Sequence, residues 1–225
     1  MSSQPAQTCE KKKNRRDETL EAARELFFKQ GYRGTSILQI AQRAGYSKRT
    51  VYLDYRNKDE LFMTVCEEGG RLLLEKLREI PHDRLSVEEA VDRFMNLYVT
   101  FSRDHREYFR MIFSEATPEI IANCTEELRV RVAELERACL DVLVSWAERA
   151  MREGLIPEVD PWEVAGIIVG TATGIILLSM GGSQTVFSQK TLEDLVQKAI
   201  GTLWRGLRIT EVEKTGETNG RRNPS

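Results

Sequence analysis

Between Thr35 and Tyr55 the chain leaves itself almost no conformational choice. Ile37, Ile40, Ala41 and Ala44 recur at i, i+3, i+4 and i+7, the spacing of a helix with one apolar face that another helix must cover. Thr35 or Ser36 can cap its start, and Ser36 with Gln39 three residues later forms the pattern of a capping box. Gly45 then supplies the left-handed conformation that closes a helix without a Cβ clash, and Ser47 can cap a new helix at once. In that second helix Val51 and Tyr55 stand at i, i+4 and turn inward. Two short helices separated by only three or four residues make a helix-turn-helix over 36–55. Asn57 with Glu60 offers a further cap, Glu60 reaching back to Asn57, and starts the next helix.

The residues left on the outer face of the second helix are Lys48, Arg49, Thr50 and Tyr52. Lys and Arg can fork onto guanine O6 and N7, whereas Thr and Tyr hydroxyls bond phosphates and set register. The free N–H groups at the start of this helix, beside Ser47, suit a phosphate oxygen as well. Charge distribution agrees, although the net charge of −2 alone would not suggest it. From Lys11 to Lys58 there are 13 Lys plus Arg against 5 Asp plus Glu, leaving 20 against 30 elsewhere. A basic head on an acidic body can release counterions from a duplex and orient on it. The run Lys11-Lys12-Lys13-Asn14-Arg15-Arg16 reads either as a flexible arm along the DNA or as a solvated tail.

Gly31-Tyr32, Thr35-Ser36, Ile40-Ala41, Ala44-Gly45, Ser47, Thr50, Tyr52, Tyr55 and Lys58-Asp59-Glu60-Leu61 together resemble the TetR family of bacterial transcriptional regulators. The resemblance covers about residues 14–74. It implies a three-helix DNA-binding domain in which Lys48 and Arg49 face bases, while Thr35, Thr50, Tyr52 and Lys58 face the DNA backbone. Ser36, Tyr46 and Ser47 are added to the backbone set on their position. The chain departs from the common pattern at Arg49, where many relatives carry a small residue, and at Tyr46, where a small aliphatic is usual. The operator sequence therefore cannot be borrowed from a relative.

The remaining residues read as helical throughout, and 225 residues at 41% hydrophobic are enough for a real core. The fold class expected is all-α: an N-terminal helix-turn-helix domain and a larger helical bundle, about nine helices in all. Residues 1–13 are expected as a basic flexible arm, 14–74 as the DNA-binding domain, 75–209 as the C-terminal body and 210–225 as a disordered polar tail. Gly69-Gly70 inside a long helix marks close packing or flexure. Ser86 with Glu89 opens another capping box, and Gly154 ends a later helix.

Aromatic residues gather at Phe94, Tyr98, Phe101, Phe109 and Phe113, joined by Trp146. They fill a core or line a pocket; the resemblance implies that some subset surrounds a small hydrophobic effector. Val164 to Met180 carries no charge, yet it sits at the lower limit for a membrane span and lacks a basic flank, so a buried helix rather than a membrane partner is expected. Gly166, Gly170 and Gly174 smooth one of its faces. With Leu195, Ala199 and Leu203 of the following amphipathic helix they would form a seam between two copies, or else pack within one.

Cys9, Cys66, Cys124 and Cys139 show no paired spacing and the N-terminus lacks an apolar signal core, which points to reduced thiols and the cytoplasm. His82 and His105 have no partner at metal-ligand spacing, and no nucleophile elbow or phosphate loop occurs, so neither catalysis, metal nor cofactor is expected. The function expected is a ligand-responsive repressor that binds a pseudo-palindromic double-stranded operator as a homodimer. The rivals are an architectural DNA-coating protein without an effector and a helical enzyme assembled from distant residues.

Overall fold

The structure, a computed structural model, describes residues 4–81, 84–181 and 191–207. All the described elements are helices. They are α1 (Gln4–Gly34), α2 (Ile37–Ala44), α3 (Lys48–Val51), α4 (Lys58–Arg78), α5 (Val87–Asp104), α6 (Arg106–Arg110), α7 (Pro118–Ala122), α8 (Glu126–Arg152), α9 (Pro161–Met180) and α10 (Leu192–Leu207), with α6 running into one π-helical turn at Met111–Glu115. α1 is continuous only as far as Gln30, because Gly31 has φ 71° and ψ 177°, outside the helical region. Only glycine takes that conformation without strain.

The N-terminal segment differs from expectation. From Gln4 onward the residues read as a flexible arm belong to α1. Their composition, rich in Lys, Gln and Glu, carries adequate helix propensity and merely extends a helix nucleated by the packed turns after it. The expected tail at 210–225 lies outside the described residues.

The chain divides into two units: one holds the residues up to Glu75 together with Phe101–Arg137, the other Lys76–Thr100 and the residues from Ala138. The single C-terminal body expected over 75–209 is therefore not a single unit, since 101–137 packs with the helix-turn-helix. The reason lies in the first unit's core. Phe27, Ile40, Val51, Tyr55, Leu61 and Phe62 bury the apolar faces of α1 to α4, and Met111, Ile120, Cys124 and Leu128 complete the same cluster. Phe62 meets the rings of Phe27 and Tyr32 edge-on at 5.2 and 5.0 Å.

The paired glycines of α4 mark close packing. A Cβ on Gly69 would lie 2.6 Å from Tyr108 Cδ1, and one on Gly70 2.8 Å from Leu135 Cδ2. On the same helix Glu67 is buried between Arg71 and Arg131. Burial alone would raise its carboxyl, but the two guanidiniums hold it below the usual carboxylate range.

In the second unit Phe94 stacks on Tyr98 and meets Trp146 edge-on, both at 5.9 Å. The Tyr98 and Thr173 hydroxyls share a hydrogen bond of 2.8 Å. α9 starts where Asp160 accepts the Trp162 N–H at 2.8 Å, and its Val164, Ala165, Ile168, Ala172 and Ile176 are buried. By length and composition α9 could cross a membrane, with mean hydropathy 1.8. Its other face is open: Gly166, Ile167, Gly170, Gly174 and Leu178 are exposed, and no atom lies within 4 Å of the Cβ position of any of the three glycines. On α10 Val196 and Ile200 are buried, while Leu195, Ala199 and Leu203 stay partly open.

Candidate nucleic-acid interface

The helix-turn-helix is held by its own caps. Ser36 Oγ accepts the Gln39 N–H at 3.3 Å while Gln39 Oε1 accepts the Ser36 N–H at 2.8 Å, the full capping box. Gly45 closes α2 in the left-handed conformation, φ 76° and ψ 23°. Ser47 Oγ then accepts the Thr50 N–H at 3.1 Å and starts α3. Glu60 behaves slightly differently from expectation: Asn57 Oδ1 caps the Glu60 N–H at 2.8 Å, but the Glu60 carboxylate accepts the N–H of Arg56.

α3 is shorter than the helix read to Tyr55. After Tyr52 the bonding slips to a three-residue spacing, Leu53 N–H to Thr50 O and Asp54 N–H to Val51 O, so the chain leaves the helix as tight turns. Val51 and Tyr55 are nevertheless fully buried, which fixes the outward direction of the rest. Lys48 and Arg49 are exposed. Ser36 and Ser47 are exposed as well, Thr50 is half-buried, and Tyr52 is 52% exposed. The Ser47 and Thr50 hydroxyls share a hydrogen bond of 2.8 Å.

Thr35 and Lys58, expected at the DNA backbone, turn inward instead. Thr35 Oγ1 is buried and donates to Gly31 O at 2.8 Å. Lys58 Nζ donates to the Tyr32 and Thr35 carbonyls, each at 3.0 Å, and lies 3.8 Å from the Tyr32 ring centroid. Burial pulls its pKa below the usual lysine value, with Asp59 acting the other way. The cause is the end of α1 at Gly34, where the last carbonyls, those of Gly31 and Tyr32 among them, need donors from outside the helix. Tyr46, also expected at the backbone, gives its hydroxyl proton to Glu18 of α1, and that bond raises the phenol's pKa.

Four contributors escaped the sequence reading: Arg15, Asp54, Arg110 and Glu115. Arg15 of α1 forks onto Asp54, Nε to Oδ2 at 2.6 Å and Nη2 to Oδ1 at 2.8 Å, locking the end of the motif to α1. At the break in α1, Glu115 Oε2 accepts the Tyr32 N–H at 2.9 Å, and Arg110 Nη2 donates to the Phe27 and Phe28 carbonyls at 3.0 and 3.2 Å. Tyr32, Asp59, Arg110, Glu115, Thr117 and Asn123 border an open polar cleft of about 550 Å³ there. Of these only Asp54 lies within the motif; an acid at the end of a basic reading helix is a signal that it needs a cation.

The six aromatics read as filling a core or, in some subset, lining a pocket divide between the units. Phe94, Tyr98 and Trp146 belong to the second, and Phe101, Phe109 and Phe113 to the first. All but Phe113 are buried. Phe109 and Phe113 lie 4.6 Å apart.

Comparison with known proteins places the chain among similar folds. Residues 20–65 match the family model of bacterial regulatory proteins, tetR family. A helix-turn-helix-type transcriptional regulator of Bacillus subtilis (strain 168), YhgD, is 29% identical over 142 residues, 63% of this chain and 72% of its own. Among solved structures, the transcriptional regulator FadR of Bacillus subtilis in complex with stearoyl-CoA superposes with a TM-score of 0.65 at 19% identity, covering 85% of this chain and 98% of that one. AibR in complex with isovaleryl coenzyme A and operator DNA gives 0.59 at 23% identity, covering 84% and 97%.

Proposed function

We propose that this chain is a TetR-family, DNA-binding transcriptional regulator, as the match over residues 20–65 and the likeness to YhgD support, and that it acts as a repressor, holding a pseudo-palindromic operator as a homodimer and releasing it when a hydrophobic effector binds. The observation that carries this reading is the outward pair Lys48 and Arg49 above the buried Val51 and Tyr55. Two copies of α3 about 34 Å apart would enter successive major grooves. In each, Lys48 and Arg49 read base edges, while Ser36, Ser47, Thr50 and Tyr52 fix the phosphates. The second copy docks along the open face of α9, through Gly166, Gly170 and Gly174, and along Leu195, Ala199 and Leu203 of α10. The protein works in the cytoplasm and needs no catalytic group.

An effector releases DNA only by binding better to a conformation that holds DNA worse, and operator DNA weakens the effector by the same factor. Acyl-coenzyme A thioesters, the ligands held by FadR and AibR, are the first class to test. Selection from random duplexes should recover a two-fold motif, and Arg49→Ala should lose about 1–3 kcal/mol of discrimination at one position per half-site. Recovery of no motif would favour a DNA-coating protein instead. A thermal-shift series with acyl thioesters of rising chain length should give a stabilisation that grows with ligand concentration.

A further inference from the structure

The basic run at the start of the chain is the largest cluster of like charge that the helix-turn-helix surface does not account for. Lys11, Lys12, Lys13 and Arg16 are exposed, and the sign of α1 reverses immediately after them at Asp17, Glu18, Glu21 and Glu25. Because the run is helical, its side chains have fixed bearings around the axis. Lys11 and Lys12 precede Arg15 by four and three residues and share its face, whereas Lys13, two residues before it, points to the opposite side.

Arg15 settles where that face looks. Its bidentate bond to Asp54 fastens it two residues beyond Tyr52, and the Asp54 side chain is wholly buried in the pair. One step further along the helix, Arg16 lies 5.1 Å from the Tyr55 ring centroid, and the Tyr55 hydroxyl donates to the Arg16 carbonyl at 3.3 Å. Arg15 holds the Asp54 carboxyl below its usual range against burial, and the charges of Lys12 and Arg16 act in the same direction. Lys12 is thus close to the far end of the reading element, and Lys11 lies about 1.5 Å further along the axis.

We propose that the first turns of α1 are a rigid second DNA contact, in which Lys11 and Lys12, set in register by the Arg15 to Asp54 fork, bind the phosphates flanking the sequence read by α3. This rests on the operator reading above and adds a contact that carries no sequence information. Pairing Asp54 also keeps an unpaired carboxylate away from the phosphates beside Tyr52.

The experiment compares the full-length protein with K11Q/K12Q and with K13Q, measuring operator affinity from 50 to 200 mM salt on a duplex with native flanks and on one trimmed to the selected motif. Each phosphate contact removed lowers the slope of log affinity against log salt by about 0.9, so two lysines in each of two copies remove about 3.6. K11Q/K12Q should show that loss on the flanked duplex and little on the trimmed one, with the preference for operator over scrambled DNA unchanged, and K13Q should behave as the parent. An unchanged slope in K11Q/K12Q overturns the contact, and equal losses in both variants overturn the fixed register. Failure of the operator reading is separate: the unaltered protein would then bind operator and scrambled duplexes alike.

Discussion

The unit that carries the helix-turn-helix and the unit that carries α9 and α10 finish their surfaces in different ways. In the first, caps, ion pairs and core contacts are satisfied within one chain: Ser36 with Gln39, Ser47 with Thr50, Arg15 with Asp54, Lys58 with two carbonyls. At the start of α3 it leaves Ser47, Lys48 and Arg49 outward, although Tyr52 and Leu53 just beyond are 52% and 66% exposed. In the second, α9 buries one face and leaves the other as glycine steps flanked by Ile167 and Leu178, 50% and 57% exposed. A reading surface must be rigid before it meets its partner, whereas an apolar face is completed only by being covered. One unit closes its contacts within itself around the turn; the other leaves a face of α9 uncovered.

Four substitutions or conditions sharpen or break that contrast, from the largest expected effect to the smallest. Phe62→Ala removes a fully buried ring that meets both Phe27 and Tyr32. It should destabilise the protein by about 3–5 kcal/mol, read by urea titration, and a loss under 1 kcal/mol would mean that this core is not what holds the reading unit. Gly174→Leu has no neighbour within 4 Å in a single copy, where it should gain about 1 kcal/mol of helix propensity. In a packed seam the same change should weaken association by about 1–3 kcal/mol. Sedimentation across a dilution series gives the sign, and tighter association would remove α9 from the interface.

Gly45→Ala likewise meets no atom within 4 Å, so its whole cost is the positive φ. That should be about 1–2 kcal/mol, with reduced operator binding following the loss of fold rather than of a contact; full stability in the thermal melt would show the turn to be tolerant. The smallest effect is a pH dependence. Asp54 titrates below its ordinary value because Arg15 binds the carboxylate. The stability this contributes is complete above the unfolded value of about 3.9 and is lost as pH falls through the lower native one. The melting temperatures of parent and Asp54→Asn should therefore differ at pH 6 and converge below about pH 4, and a constant gap would assign the difference to packing.

The features legible in the sequence were those decided within a few residues. The capping boxes at Ser36 with Gln39 and Ser86 with Glu89 form as the spacing implies, as does the left-handed Gly45. Lys48 and Arg49 fall outward because Val51 and Tyr55 are the nearest apolar residues in helical register. Thr35 and Lys58 went the other way because they bond the Gly31, Tyr32 and Thr35 carbonyls around the end of α1, where the neighbouring break at Gly31 is braced by Arg110 and Glu115, bonded to partners more than 80 residues away. Met111, Ile120 and Leu128 were equally unreadable. An apolar helical face announces that it will be buried, not which core receives it, and 101–137 groups with the helix-turn-helix rather than with the residues on either side of it.

That brace also sets a timetable. The Tyr32 N–H waits 83 residues for its acceptor, and at about 5–20 residues per second a ribosome takes roughly 4–17 s to supply it. Until then the nascent chain displays α2 and α3 over a core that still lacks Met111, Ile120 and Leu128. The DNA reader is encoded early and finished late, and during that interval its uncovered apolar face is open to chaperones and proteases rather than to an operator.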